Sequence, residues 1–369
     1  MNELFWVGSR SEDIQEERIF QGSITRYGAD TLNNVSFSNS HYKQYKDFVE
    51  DSIESIIRRF PTVRFIFANP KTAYSMNENI RKKAICLPKR SISNSLNDKV
   101  FMRNYLCDKI QTLPYIIIDK NCLLDYGFVS SIFSNKYDCY IVQYPTSAGG
   151  YNTIKYTNSI KDLSFLPKDS KSEYVLVTPF INNAMTVNVH ILASKSNYRI
   201  FPPSIQITTD GIHYCGSDFC AYQILPYAQK EMIIDYSTLI TESLMKIGCI
   251  GTMGIDLLVK GNSIFFLECN YRYQGSSCIL NLGLLDNRVE SLFLNNYNAY
   301  FKDIEYLPQN LYQVPINYSC FRRTVNNKQY INKCPDRIYG KNNRLNDNSN
   351  DYLEYDIYNN SIINLIEQQ

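Results

Sequence analysis

Gly251-Thr252-Met253-Gly254-Ile255-Asp256-Leu257-Leu258-Val259-Lys260-Gly261-Asn262-Ser263-Ile264-Phe265-Phe266-Leu267-Glu268-Cys269-Asn270-Tyr271-Arg272 is the stretch on which the reading of this 369-residue chain turns. Two apolar runs flank Lys260-Gly261-Asn262-Ser263, the pattern of a β-hairpin. A three-residue loop, Gly261 to Ser263, with its positive φ supplied by Gly261 or Asn262, pairs residue i with residue 524 − i and sets Asp256 opposite Glu268. A two-residue loop would turn Asp256 to the other face. Side chains alternate along a strand, so Glu268, Asn270 and Arg272 share the face of Asp256, while Cys269 points away as a core thiol.

Two carboxylates facing each other among apolar neighbours repel, and burying an unpaired charge is unfavourable. A divalent cation removes the conflict. Asp256, Glu268 and Asn270 offer only oxygen donors, which suit Mg²⁺ rather than zinc or copper. Arg272 would then point its guanidinium at whatever anion the metal holds. The competing reading is a hairpin with solvated polar residues, or a buried Arg–Glu pair. Asp256 in register and the Gly275-Ser276-Ser277 that follows favour the metal site.

Upstream, Leu4–Val7 reads as a strand stopped by Gly8-Ser9-Arg10. Tyr45, Phe48, Val49, Ile53, Ile56, Ile57 and Phe60 form one stripe of a helix that Pro61 ends, and Val63–Ala68 is a strand closed by Asn69-Pro70. Strand, helix, strand predicts a parallel-sheet domain. A second unit begins near Asp98-Lys99, with a helix over Val100–Cys107 and strands over Tyr115–Ile118 and Cys139–Gln143. The loop Thr146-Ser147-Ala148-Gly149-Gly150 follows, whose backbone N–H groups could hold an anion. Strands are expected over Tyr174–Ile181 and Thr186–Ala193, and a helix over Glu231–Ile247 buries Met232, Ile233, Tyr236, Leu239, Ile240 and Leu244. The last sixty residues are poor in long apolar runs, and Asn342–Asn350 is a polar loop.

Composition excludes several classes. At 44% hydrophobic and 20% charged, the chain is globular, with length for two or three domains at roughly 150 residues each. A net charge of +2 leaves no surplus for a nucleic acid or an anionic membrane held by charge. No apolar run approaches the roughly 20 residues that span a bilayer, and the first residues lack a basic and apolar leader, so a cytoplasmic location is expected. Eleven cysteines without a Cys-x-x-Cys pair, and only three histidines, argue against zinc and for reduced thiols. There is neither a Gly-x-x-x-x-Gly-Lys-Ser/Thr loop nor a Gly-x-Gly-x-x-Gly turn. His190, alternating with apolar residues, is expected to be a structural or nucleotide-adjacent polar group rather than a general base; His213 and the Arg322-Arg323 pair are expected at the surface.

Asp98-Lys99, the Gly149-Gly150 loop, Val177-Thr178-Pro179-Phe180-Ile181, and Asp256 with Glu268-x-Asn270-x-Arg272 resemble, in order and spacing, the ATP-grasp superfamily over residues 95 to 300. Gln143 before the loop, Pro202-Pro203-Ser204-Ile205-Gln206 and Gly216-x-Asp218-Phe219 are similar to bacterial carboxylate–amine ligases of peptide natural-product pathways. The resemblance implies an α/β (α+β) fold: a Rossmann-like pre-ATP-grasp domain over 1–95, then the two α+β subdomains of the ATP-grasp fold, a small lid with the Gly-rich loop over 96–172 and a large subdomain with the Mg²⁺/ATP site over 173–310. Residues 311–369 are expected as a C-terminal extension.

What the resemblance implies for chemistry is an ATP- and Mg²⁺-dependent ligase that joins a small-molecule carboxylate to the amine of an amino acid or peptide through an acyl phosphate. Asp256, Glu268 and Asn270 would hold one or two Mg²⁺ on the ATP phosphates, Lys99 would contact those phosphates, and Arg272 would hold the transferring phosphoryl group. Gln143, Ser147, Gly149, Gly150 and Thr178 would line the nucleotide site, with the backbone of Phe180 and Ile181 at the adenine edge. Two departures stand out. Many relatives carry a second Lys or Arg where Gln143 stands. Many also carry a Glu for the ribose hydroxyls, where Asn182–Asn188 holds no carboxylate and Asn188 is the candidate substitute. Acyl transfer to a carrier protein is a variant of this reading, and a nucleotide-binding regulatory protein without turnover is the alternative. Whether the chain acts alone or as a homodimer stays open.

Overall fold

A computed structural model describes residues 3–10, 12–14, 18–27, 37, 41–146, 153–160, 172–302, 311–326, 337–344 and 351–363; the side chains of 322–326, 337–344 and 351–355 are outside that description. The chain is a mixed α/β protein built on three sheets. The first has the order β2-β1-β3-β4 and is parallel throughout: β1 Leu4–Arg10, β2 Gly22–Tyr27, β3 Arg64–Phe67 and β4 Ala84–Ile85. The expected helix spans Tyr42–Arg59 and buries Tyr45, Val49 and Ile53 against this sheet. Two features differ from the sequence reading. The first strand runs on through Gly8 to Arg10, because β2, which the sequence did not announce, pairs with it as far as Arg10↔Tyr27. Asn69-Pro70 does not merely end β3: the Asn69 side chain accepts the Lys71 N–H and starts the helix Pro70–Ser75.

The second sheet is antiparallel, order β5-β8-β6-β7, with β5 Ile116–Asp119, β6 Tyr140–Gln143, β7 Thr153–Tyr156 and β8 Tyr174–Pro179. The strand expected to open the large subdomain thus completes the small sheet, pairing with β5 and β6, and the chain crosses out of that sheet after Pro179 rather than at 172. The third sheet is antiparallel, order β14-β13-β9-β11-β12-β15-β17-β16, with β10 also on β9. Its strands are β9 Met185–Ala193, β10 Tyr198–Ile200, β11 Ser204–Thr209, β12 His213–Asp218, β13 Gly251–Lys260, β14 Ser263–Asn270, β15 Ser319–Asn326, β16 Arg337–Arg344 and β17 Asp351–Tyr358.

The odd residues Val187, Val189, Ile191 on β9 and Met253, Ile255, Leu257, Val259 on β13 enter one core with Ile233, Ile240 and Leu244 of the helix Tyr227–Lys246. That core fixes the opposite face of β9 and β13 as the one that carries polar groups. Leu239, expected on the buried stripe of this helix, is 45% exposed; Ser237 and Thr241, which return their hydroxyls to the carbonyls four residues back, are buried instead. No helix among the described residues is long and apolar enough to cross a membrane.

The C-terminal strands are tied to the sheet at Asp218, whose Oδ2 accepts from Ser361 Oγ (2.7 Å) and Ile362 N (2.9 Å). Gly216 lies between: a Cβ there would overlap the carbonyl oxygen of Cys320 on β15. Gly216→Ala therefore forces β12 and β15 apart and is expected to lower the unfolding free energy by about 1–3 kcal/mol in denaturant titration; an unchanged midpoint would show that the pair tolerates the separation.

Candidate active site

The hairpin reaches the expected pairing by an unexpected route. Lys260 pairs with Ser263, so the turn is the two residues Gly261 and Asn262, with Gly261 at φ 57°. Leu257 then pairs with Phe266, whereas Asp256 pairs with Glu268. The extra residue is Leu267, a β-bulge that shifts the register by one. Ile264 and Phe266 enter the core before the bulge, Cys269 and Tyr271 after it, and Leu267 and Glu268 both line the cleft. The three-residue loop of the sequence reading is corrected to a shorter turn plus a bulge, whose effects on Asp256 cancel.

On β13 Asp256 is 7% exposed and faces both Glu268 on β14 and Asn188 on β9. Its Oδ1 accepts from Asn188 Nδ2 (2.6 Å) and Gln206 Nε2 (2.8 Å), and its Oδ2 from Asn270 Nδ2 (3.0 Å). The same Asn270 nitrogen donates to Glu268 Oε1 (2.9 Å), so one amide bridges the two carboxyl groups. Lys99 Nζ lies 2.8 Å from Glu268 Oε2. Lys99 is fixed from below: the Asp98 side chain caps its helix Lys99–Leu106 by accepting from Val100 and Phe101 N–H, and the Lys99 N–H meets Pro145 O at 3.0 Å. Arg272 donates from Nη2 to Asn270 Oδ1 (3.1 Å) and from Nη1 to Tyr273 O (3.1 Å).

Burial, then repulsion from Glu268, pushes the Asp256 carboxyl up to about 7. Burial pushes Glu268 up as well, but Lys99, Asn270 and Arg272 outweigh it and hold Glu268 below its ordinary value. Burial lowers Arg272 against the pull of both acids. The pair is thus short of positive charge at Asp256. These donors fit a divalent cation: two carboxylates converge within hydrogen-bond reach of one point, where the Asn270 NH₂ now stands. For Asn270 to offer its carbonyl, the amide must turn and release Arg272. Among the described residues no three or more His, Cys, Asp and Glu gather as a self-sufficient metal cage. A cation here would take its remaining ligands from an anionic substrate, as Mg²⁺ does with phosphates.

One cleft of ≈ 1150 Å³ contains all of this. Lys99, Gln143, Thr178, Phe180, Ile181, Asn188, Asp256, Glu268, Asn270 and Arg272 all line it. Ser147, Gly149 and Gly150 lie outside the described residues. Asn188 stands against Asp256, to which its Nδ2 donates, while its buried Oδ1 has no hydrogen-bond partner. Phe180 gives its own N–H to Cys139 O (2.9 Å) as the chain leaves the small sheet, and Lys260 ties down the next segment through the carbonyls of Asn182 (2.8 Å) and Asn183 (3.2 Å). The sequence reading gave no role to Gln206, Thr153, Lys155 and Arg103, which also line the cleft. Gln206 was within reach: Ser204, Gln206 and Thr208 alternate with the buried Ile205 and Ile207.

His190, two residues along β9 from Asn188, is fully buried and shares a hydrogen bond of 3.1 Å between Nε2 and Ser277 Oγ. Burial lowers it to about 3, so it is neutral at neutral pH, and it stands off the cleft lining in the structural position expected. His213 is exposed. The unfolded chain protonates His190 near 6.5 but the folded one does not, so stability is lost as pH falls from about 6.5 toward 3, by up to about 1.4 kcal/mol per unit. His190→Gln should flatten that part of the pH–stability curve; an identical slope in the variant would assign the acid sensitivity elsewhere.

Residues 96–276 match the ATP-grasp domain family. No curated protein sequence matches the chain. Among solved structures, the chain is similar to the biotin carboxylase domain of Hydrogenobacter thermophilus 2-oxoglutarate carboxylase, determined with MgADP, ADP and bicarbonate (TM-score 0.66, 13% identity, 97% of this chain and 86% of that one). It is also similar to carboxyaminoimidazole ribonucleotide synthase from Aspergillus clavatus with ATP (0.63, 10%, 99% and 98%) and to L-amino acid ligase from Bacillus licheniformis (0.58, 12%, 100% and 95%). Residues 96–276 thus carry an ATP-grasp domain, and the chain shares its fold with these solved structures.

Proposed function

We propose that the protein is an ATP-dependent carboxylate–amine ligase that forms an amide or peptide bond through an acyl phosphate, in the manner of peptide and natural-product ligases. One observation carries this: the buried Asp256 and the half-buried Glu268 carboxyl groups share a single bridging amide, with Lys99 and Arg272 at their edges, in a cleft between the small sheet and the large sheet. The similarity to a structure named as an L-amino acid ligase supports the choice of carboxylate and amine.

A free carboxylate is a poor electrophile for an amine, and phosphorylation gives it a leaving group. Magnesium, held by Asp256, Glu268 and Asn270, would neutralise phosphate charge when bound. Lys99 would hold phosphate oxygens from the capped end of its helix. Arg272 would bind the transferring phosphoryl group and then the developing oxyanion as the amine attacks. Phe180 spends its N–H on Cys139, so an adenine edge would be read by Phe180 C=O and Ile181 N–H, while Thr178 and Gln143 line the lid wall. Catalysis on this reading is positioning and charge neutralisation, with no nucleophilic side chain. The burial of His190 and Cys269, away from the cleft lining, is consistent with that.

Incubation with ATP, Mg²⁺ and panels of acids and amines is expected to give ADP and phosphate only when both partners are present; AMP and pyrophosphate would overturn the mechanism. Asp256→Asn and Glu268→Gln should each reduce turnover at least about 100-fold, with melting temperatures within a few degrees, since each removes one of two repelling acids. Full turnover in either variant would remove that residue from the metal set.

A further inference from the structure

Arg103 follows Lys99 by one helical turn, is 1% exposed and lines the cleft. Its Cζ lies 5.4 Å from the centre of the Tyr115 ring, and its Nε and Nη1 have no hydrogen-bond partner. Burial lowers its pKa to about 10, against the pull of Glu268 and Tyr115, which leaves it charged at neutral pH. Arg199 makes a useful contrast. It is 5% exposed and also lacks partners on Nε and Nη1, but Glu290 Oε2 lies 3.6 Å from its Nη1 and meets the charge. No described carboxylate comes as near to Arg103. Glu268, whose field reaches it, already holds Lys99 at 2.8 Å.

A buried guanidinium with unused donors is unfavourable unless an anion completes it, and its planar fork matches phosphate oxygens. The wall across the cleft does not compete for that anion. Ile141, Gln143, Thr153 and Lys155 form the cleft-facing row of the lid, since Ile141 pairs with Lys155 and Gln143 with Thr153. The one cation of that row, Lys155, has its Nζ 4.1 Å above the Phe180 ring, at the exit from the small sheet. Gln143 is neutral. We propose that Arg103 binds the phosphate chain of the nucleotide, supplying from the helix beside Lys99 the positive charge that Gln143 does not supply from the lid. This rests on the reading of the cleft as an ATP site.

Calorimetric titration of the full chain with ADP in EDTA, and separately with adenosine, tests it. Arg103→Gln is expected to weaken ADP by about 10- to 100-fold and adenosine by less than about twofold, and Gln143→Lys added to Arg103→Gln should recover at least about tenfold of the loss. The apo melting temperature should not fall, because an unpaired buried charge is removed. Unchanged ADP affinity, or equal losses for ADP and adenosine, would overturn the assignment while leaving the ATP reading intact. If the parent protein binds neither ligand, the ATP reading itself fails, and this inference with it. Should Arg103→Gln not fold, Arg103→Lys carries the test: ADP within about tenfold of the parent with adenosine unchanged supports phosphate binding, and equal loss of both overturns it.

Discussion

The mutual repulsion of Asp256 and Glu268 is the constraint from which the rest of the site follows. Both acids stand on adjacent strands, out of bulk water, at a separation that one amide nitrogen can span. Without help the pair would resist holding two full charges, and burial together with repulsion from Glu268 raises the Asp256 carboxyl accordingly. Help comes unevenly. Glu268 has a lysine; Asp256 has three neutral amides, from Asn188, Asn270 and Gln206. Amide dipoles orient a carboxylate but do not cancel it. That imbalance makes the Asp256 side the place where a cation gains most, and it explains why three strands contribute polar residues to one oxygen pair.

How much of this could be read from residues alone is decided by the hairpin. Its two apolar runs, its turn residues and the Glu-x-Asn-x-Arg spacing are all visible in the sequence, and they suffice to bring Asp256 to Glu268. The two-residue turn and the bulge at Leu267 are not, because each shifts register by one and the two shifts cancel at Asp256. What betrays the bulge is parity: the core residues are Ile264 and Phe266, then Cys269 and Tyr271. Arg103 was hidden differently. A cation one turn beyond another reads as an ordinary solvated helix face until tertiary packing buries it. The C-terminal strands escaped because they join the far side of the large sheet, from β12 outward, where pairing with a neighbour replaces the long apolar run that would announce a strand.

The parallel N-terminal sheet is more than an attachment. Trp6 of β1 packs edge-on against Tyr273 (ring centres 5.0 Å apart) and Phe293 (5.1 Å). Ala68, at the end of β3, accepts the Tyr273 N–H at 3.1 Å, and Arg10 holds Gly275 O at 3.0 Å while paired with Asp13. Tyr273 and Gly275 flank the segment that follows Arg272. The first sheet therefore sets the backbone from which the Arg272 guanidinium reaches Asn270, and a disturbance of β1 would be felt at Asn270 and the two acids it bridges without touching them.

The positive groups then divide by what carries them. Lys99 and Arg103 stand on one capped helix and Arg272 on the end of the large-sheet hairpin, all on parts anchored by buried packing. The lid sheet faces them with Gln143 and Thr153, and its lysine lies toward Phe180. On the proposed reading, a phosphate chain in the cleft would meet its positive groups on the capped helix and the large-sheet hairpin, while the small sheet offers it Gln143 and Thr153. The Lys99 N–H to Pro145 carbonyl bond makes the link between the two, because the residue that leaves the lid strand toward the small-residue loop is held by the same helix terminus that aims Lys99 at Glu268. The position of Pro145 and the aim of Lys99 are thus coupled through one backbone hydrogen bond.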